Sequence, residues 1–152
     1  EAANFGAVGR VKMTSSKRGV VLEKNNLVVD SSVEVMLQAL MGRDLIDTIL
    51  FGDSGGAAVT PGLKSIFNPV FRATAGTASS IPPIISRDTR GLSSIGTWTA
   101  VYTNPGPSTA TYDMLGLVTQ NSRLFAATSF PSVSLAAGES IAVEWTILLA
   151  GR

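Results

Sequence analysis

The amino-acid sequence predicts an all-β chain: a jelly-roll-like antiparallel β-sandwich of about eight strands with one short helix at about residues 31–41. Three observations carry this. The stretch from Ser140 to Leu149 places Ile141, Val143, Trp145, Ile147 and Leu149 on one face and Ser140, Ala142, Glu144 and Thr146 on the other, the period-two pattern of a half-buried strand. Turn-forming residues recur about every 8 to 12 positions. A convincing helical pattern occurs once and early, so βαβ alternation and a parallel sheet are not expected.

The strand at 140–149 holds one of only two tryptophans, and we expect it in the middle of the sheet. Upstream, residues 1–9 are small and carry two glycines, which predicts an extended N-terminal arm; residues 10–152 are expected to form a single β-sandwich domain. Arg10 to Thr14 alternates and reads as the first strand. Val20 to Glu23 reads as the second, with Asn25-Asn26 breaking it. Ser31-Ser32-Val33-Glu34 matches a capping box, in which Ser31 accepts from a backbone N–H and Glu34 reaches back. Val33, Met36, Leu37 and Leu40 then follow at helical spacing, one apolar stripe expected to face the core, and Gly42 stands where a glycine ends a helix.

Asp47 to Phe51 predicts the next strand, ended by Gly52. Residues 53 to 93 are weakly patterned, with a short strand around Val70 to Arg72 and an extended Pro82-Pro83. An excursion of this length is expected to be functional or an interface. Thr97 to Thr103 alternates, with Trp98, Ala100 and Tyr102 on one face. Asn104-Pro105-Gly106-Pro107 is a turn. Thr111 to Val118 and Arg123 to Phe130 complete the strands, and Pro131 to Gly138 is expected as a loop.

The chain has 152 residues, a net charge of +1 and 15% charged residues, below the usual quarter. No basic cluster exceeds Lys17-Arg18, so nucleic acid is not an expected partner, and no apolar run approaches the ~18 residues of a membrane span. There is no cysteine and hence no disulfide or thiol chemistry. The chain opens on Glu1 without Met and without a signal-peptide pattern, which reads as a trimmed product or a numbering that omits the start. A positive mean hydropathy without a membrane segment suggests surface reserved for a partner, or else a β surface rich in Ser and Thr.

No catalytic set is marked. Gly52-Asp53-Ser54-Gly55-Gly56 matches the string around the nucleophile of chymotrypsin-like proteases, but that mechanism needs a histidine base and the chain has none. A Ser–Lys dyad with Lys64 has nothing in the sequence to position it. The expected role of the motif is a glycine turn after a strand. Without His or Cys, zinc is not expected. Asp44, Asp47 and Asp53 are the closest acid set for calcium and read instead as solvated strand-end and turn acids. No phosphate loop and no marked carboxylate pair is present. Trp98, Tyr102 and Tyr112 suit a carbohydrate-binding surface, but core packing is the commoner use of aromatics on one strand face. We therefore assign no catalytic, cofactor-binding or metal residues and no cofactor.

Three ordered pieces carry a resemblance. Asn26 to Val29 leads into the helix ending Leu37-Gln38-Ala39-Leu40-Met41-Gly42. Ile46-Asp47-Thr48-Ile49-Leu50-Phe51-Gly52 ends at the glycine-rich loop. Leu115-Gly116-Leu117 is followed by Leu124 to Phe130 and then by Ile141 to Ile147. Over about residues 25–149, with a gap in the middle third, the chain resembles small virion proteins of tailed bacteriophages, the jelly-roll capsid cement (decoration) proteins and tail-tip or fibre modules. The acid that usually precedes the Gly-Leu pair is absent; Met114 and Leu115 stand there. The resemblance implies a structural, non-enzymatic virion protein on the outer capsid surface, made in the host cytoplasm, that bridges capsomers. Its partners would be the major capsid protein and its own copies in a homo-dimer or homo-trimer, with no nucleic acid and no membrane. Residues 1–9 and the loops in 53–93 would carry the contacts. The alternative is a tail-tip or fibre module that binds a host receptor or glycan.

Overall fold

A computed structural model describes residues 5–74, 80–87 and 93–151. Its elements run β1 (Phe5–Ser15), β2 (Gly19–Val28), α1 (Ser32–Leu40), β3 (Ile46–Gly52), β4 (Pro69–Thr74), β5 (Ser80–Arg87), β6 (Ser93–Thr103), β7 (Ala110–Thr119), β8 (Leu124–Leu135) and β9 (Ser140–Gly151). The chain is all-β with one short helix, as its periodicities require. The strands form one sheet in the order β4-β3-β7-β8-β2-β1-β9-β6-β5, and every pairing is antiparallel. Nine strands are described where about eight were expected. The addition is β5, an edge strand whose register shifts between Ile81 and Ile84. Pro82 and Pro83 lie within that shift on an edge strand, the kind of position in a sheet where proline is tolerated.

β9 holds the central position its pattern predicts. It pairs with β1 on one side and β6 on the other, and Ile141, Val143 and Trp145 have no exposed surface. The sheet folds over at β2, which meets β8 through only two residue pairs, Leu27–Ala127 and Val28–Ala126. The strands on either side of that junction, β2-β1-β9-β6-β5 and β4-β3-β7-β8, enclose one core. An aromatic chain closes the space between them. Phe71 lies against Tyr102 (centroids 4.4 Å apart), Phe51 against Phe71 and Tyr112 (5.5 and 5.2 Å), and Tyr112 against Phe130 (5.8 Å). Tyr102 and Tyr112 are thus core residues. Burial pushes the Tyr112 phenol pKa far up, with nearby Arg18 opposing, and its hydroxyl donates to Met13 Sδ at 3.7 Å. The Trp98 indole donates across to the Ile46 carbonyl at 3.1 Å, tying β6 to β3.

Several boundaries differ from expectation, each for a physical reason. Residues 5–9 of the expected arm are strand, paired one for one with Ile147 to Gly151 of β9; residues 1–4 lie outside the described part. The long apolar β9 supplies a template that the small residues of the arm can follow. Asn25 and Asn26 do not break β2. Asn26 Oδ1 instead accepts from the buried Trp145 indole at 3.0 Å, and its amide occupies the space a side chain at Gly9, its cross-strand partner, would need. β8 runs through Pro131 to Leu135 rather than stopping at Phe130, the register against β7 shifting between Tyr112 and Met114.

Candidate assembly surface

The glycine-rich motif after β3 is built around an acid whose role the sequence did not reveal. Asp113 accepts from the Ser54 amide (2.8 Å), the Ser54 hydroxyl (2.9 Å) and the Gly56 amide (2.8 Å), and the Ala57 amide donates to Ser54 Oγ at 3.0 Å. Burial opposes ionisation of Asp113, but these donors outweigh it and hold its pKa below the usual carboxylate value. Gly55 and Gly56 adopt φ of +70° and +99°, which the turn requires. Ser54 is thereby a turn-closing hydroxyl whose proton points at a carboxylate. Asp113 stands between Tyr112 and Met114 and reads in the sequence as one polar residue within a strand.

The rest of the excursion folds back onto its own sheet. Ile66 is buried over β3 and β7, where side chains at Gly52 and Gly116 would collide with it. With Val59 and Leu63 it covers a second apolar cluster of Val29, Leu50, Met114, Val118, Leu124 and Ala127. Residues 53–68 belong to the stretch expected to carry partner contacts; Val59, Leu63 and Ile66 within it pack on this cluster, and Phe67 is exposed. Residues 75–79 and 88–92 of the expected contact region lie outside the described residues.

The three acids considered for calcium go separate ways. Asp44 is buried and accepts from Thr119 Oγ1 (2.7 Å) and Asn121 Nδ2 (3.0 Å), closing the β7–β8 turn. Asp47 accepts from the Thr48 hydroxyl at 2.8 Å, and Asp53 uses its amide to bond Asn68. Among the described residues no three His, Cys, Asp or Glu side chains gather as a metal group. Among the described residues no helix is long and apolar enough to cross a membrane.

The helix does not use its ends or its stripe as predicted. Ser31 makes no side-chain cap; its hydroxyl donates to the Leu124 carbonyl at 2.8 Å. Glu34 pairs with Arg123 at 2.6 Å instead of reaching back. Val35, outside the predicted stripe, enters the core with 1% of its surface exposed. These three ties fasten one side of α1 to the start of β8. Successive residues turn by ~100°, so the side bearing Val33, Leu37 and Leu40 is rotated outward, and these are 70%, 57% and 85% exposed. Only Met36, at the border of the stripe, packs against the core.

Beside α1 the two halves of the sheet part and leave an apolar groove of about 430 Å³. Met36 and Ala39 form its helix wall. Leu45 and Ile46 continue it, Ile85, Ser94, Gly96, Ile147 and Leu149 form the strand wall, and Trp98 and Phe125 complete the lining. Among the described residues that line it, none is charged. The Trp98 ring lies close over Gly96, where a Cβ would stand 2.9 Å from it. The groove continues the core, sharing Phe125 and Ile147 with it. The sequence signal for it was present in the helical stripe, but periodicity alone assigns an apolar stripe to the core.

Comparison with known proteins adds no relative: no family model, no curated protein and no solved structure matches this chain.

Proposed function

We propose that this chain is a structural virion protein, a capsid cement (decoration) protein of a tailed phage that binds the head's outer face and bridges neighbouring capsomers. The observation that carries the reading is the uncharged apolar face of α1 and its groove, on a β domain with only 15% charged residues. A contiguous apolar patch of a few hundred Å² on a small domain is often a functional contact surface. The Ser54–Asp113 arrangement is read as a turn support, which favours a structural role over a catalytic one. The segments that resemble tailed-phage virion proteins become the helix and the strands β3, β7, β8 and β9. The partners in this reading are the major capsid protein and further copies of the chain. Many weak attachments over a lattice give high avidity without any tight single contact.

The test is the copy number of this chain per purified particle, by quantitative mass spectrometry against the major capsid protein. Hundreds of copies are expected for a lattice-wide cement. A count near a vertex or tail symmetry would instead favour the tail-tip or fibre module, and absence from particles would discard both.

A further inference from the structure

We propose that the face formed by α1 and the adjoining groove is a self-association surface, on which a second copy of this chain docks about a twofold axis. The inference deepens the assembly reading above by assigning the self-contact to named residues, and it can fail separately from it.

The argument begins with area. Val33, Leu37 and Leu40 on the helix are 70%, 57% and 85% exposed, and Leu45, Ile85 and Leu149 on the groove rim are 50%, 76% and 37% exposed. Apolar side chains of this size contribute on the order of 100 Å² each when fully exposed. The six together present several hundred Å², to which the partly exposed groove lining adds. A standard interface takes about 800 Å² from each partner. The patch therefore supplies about half of what one half of a stable dimer takes, close to the apolar share of such an interface, with polar rim residues making up the remainder.

Shape then selects the occupant. Leu37 and Leu40 form a ridge on the outer side of α1, and Met36 and Ala39 on the next side of the same helix form the wall of the groove. A ridge beside a groove on one face is self-complementary: a twofold rotation lays each ridge into the partner's groove, which is the geometry of an isologous contact. The groove volume of about 430 Å³ accepts aliphatic side chains but is too small for a folded element. Charge agrees, because the described residues of the lining include no acid or base with which to recognise an ionic ligand. The ties of Ser31, Glu34 and Val35 to β8 and the core hold the ridge in place before docking, so little ordering opposes it.

The test is the solution mass of the full chain by sedimentation equilibrium, with Leu40→Glu and Leu37→Glu as surface variants and Val8→Glu as the control. Val8 is 61% exposed on β1, away from the groove. Wild type and Val8→Glu are expected at twice the 15.8 kDa chain mass, and the two helix variants at the chain mass with unchanged far-UV circular dichroism and thermal midpoint. A wild type that stays monomeric at 100 µM (about the range where a micromolar dimer is complete) overturns the proposal. So does an assembly of any other size, a dimer that survives both helix substitutions, or one that Val8→Glu dissolves equally. Particle copy number decides the virion reading, and this mass decides the self-contact; either can fail alone.

Discussion

β7 and β1 are both ten- or eleven-residue antiparallel strands with a neighbour on each side, yet their side chains meet different surroundings. β7 is buried at every position from Tyr112 to Thr119, whereas β1 alternates, with Gly9, Val11, Met13 and Ser15 buried and Val8, Arg10 and Lys12 exposed. The difference lies in what covers the second face. Outside β7, the loop carrying Val59, Leu63 and Ile66 folds down and makes a second apolar cluster; outside β1 there is water. A strand covered on both faces loses its alternation and takes apolar residues throughout. The TYDMLGLV segment shows that loss, and RVKMT does not.

Substitutions on the two outer faces test this contrast most strongly. Ile66→Ala removes the side chain that fills the space over Gly52 and Gly116, and is expected to cost about 2–5 kcal/mol, as for other large buried aliphatics. Val8→Ala on the outer face of β1 is expected to change stability by no more than about 0.5 kcal/mol. Urea unfolding of both variants measures the gap; equal effects would mean that the loop does not seal the β7 face.

A smaller effect is expected from adding a methyl to each strand. At Gly116 a Cβ meets Ile66 and comes within 3.0 Å of Leu124 Cδ1. Gly116→Ala is expected to destabilise by about 1–3 kcal/mol, the range for overpacked cores. At Gly6 in β1 nothing lies within 4 Å, and Gly6→Ala is expected to stabilise by about 0.5–1 kcal/mol through reduced chain entropy. Opposite signs in thermal unfolding confirm the contrast, and a common sign breaks it.

The smallest expected effect is an acid dependence anchored in the β1–β9 half. Glu139 accepts from the Ser15 hydroxyl, the Ala136 amide and Arg18 Nε, and these, the Ser15 bond foremost, hold its carboxyl down to about 2. A carboxyl whose folded pKa lies below its unfolded value stabilises the fold above the unfolded value. That contribution is complete above about pH 4.5 and fades as pH falls toward 2. Asp113, also held down, adds in the same direction. Glu139→Gln is expected to flatten, without abolishing, the fall in urea midpoint between these pH values. An unchanged slope would mean that the Ser15–Glu139 contact does not persist in solution.

The resemblance to virion proteins stays a matter of sequence pattern, and its segments coincide with core elements, where packing alone already accounts for apolar residues. The proposed surface lies elsewhere, on the outward side of α1. Its residues were legible as an apolar stripe, but the direction of the stripe was not.

The sequence by itself determined the all-β class, the single helix and the inward faces of β6 and β9, because these follow from local period and residue type. Tertiary structure decided the rest. The order of the nine strands combines local and distant pairings, and the pairing of residues 5–9 with β9 and the continuation of β2 through Asn26 depend on partners more than a hundred residues away. Ser54 meets Asp113 from 59 positions away, and the rotation of α1 is set by Leu124 and Arg123, 93 and 89 positions from their partners, rather than by its own stripe. Periodicity states that a face is apolar. Only the surrounding chain determines whether that face meets the core, a covering loop or open solvent.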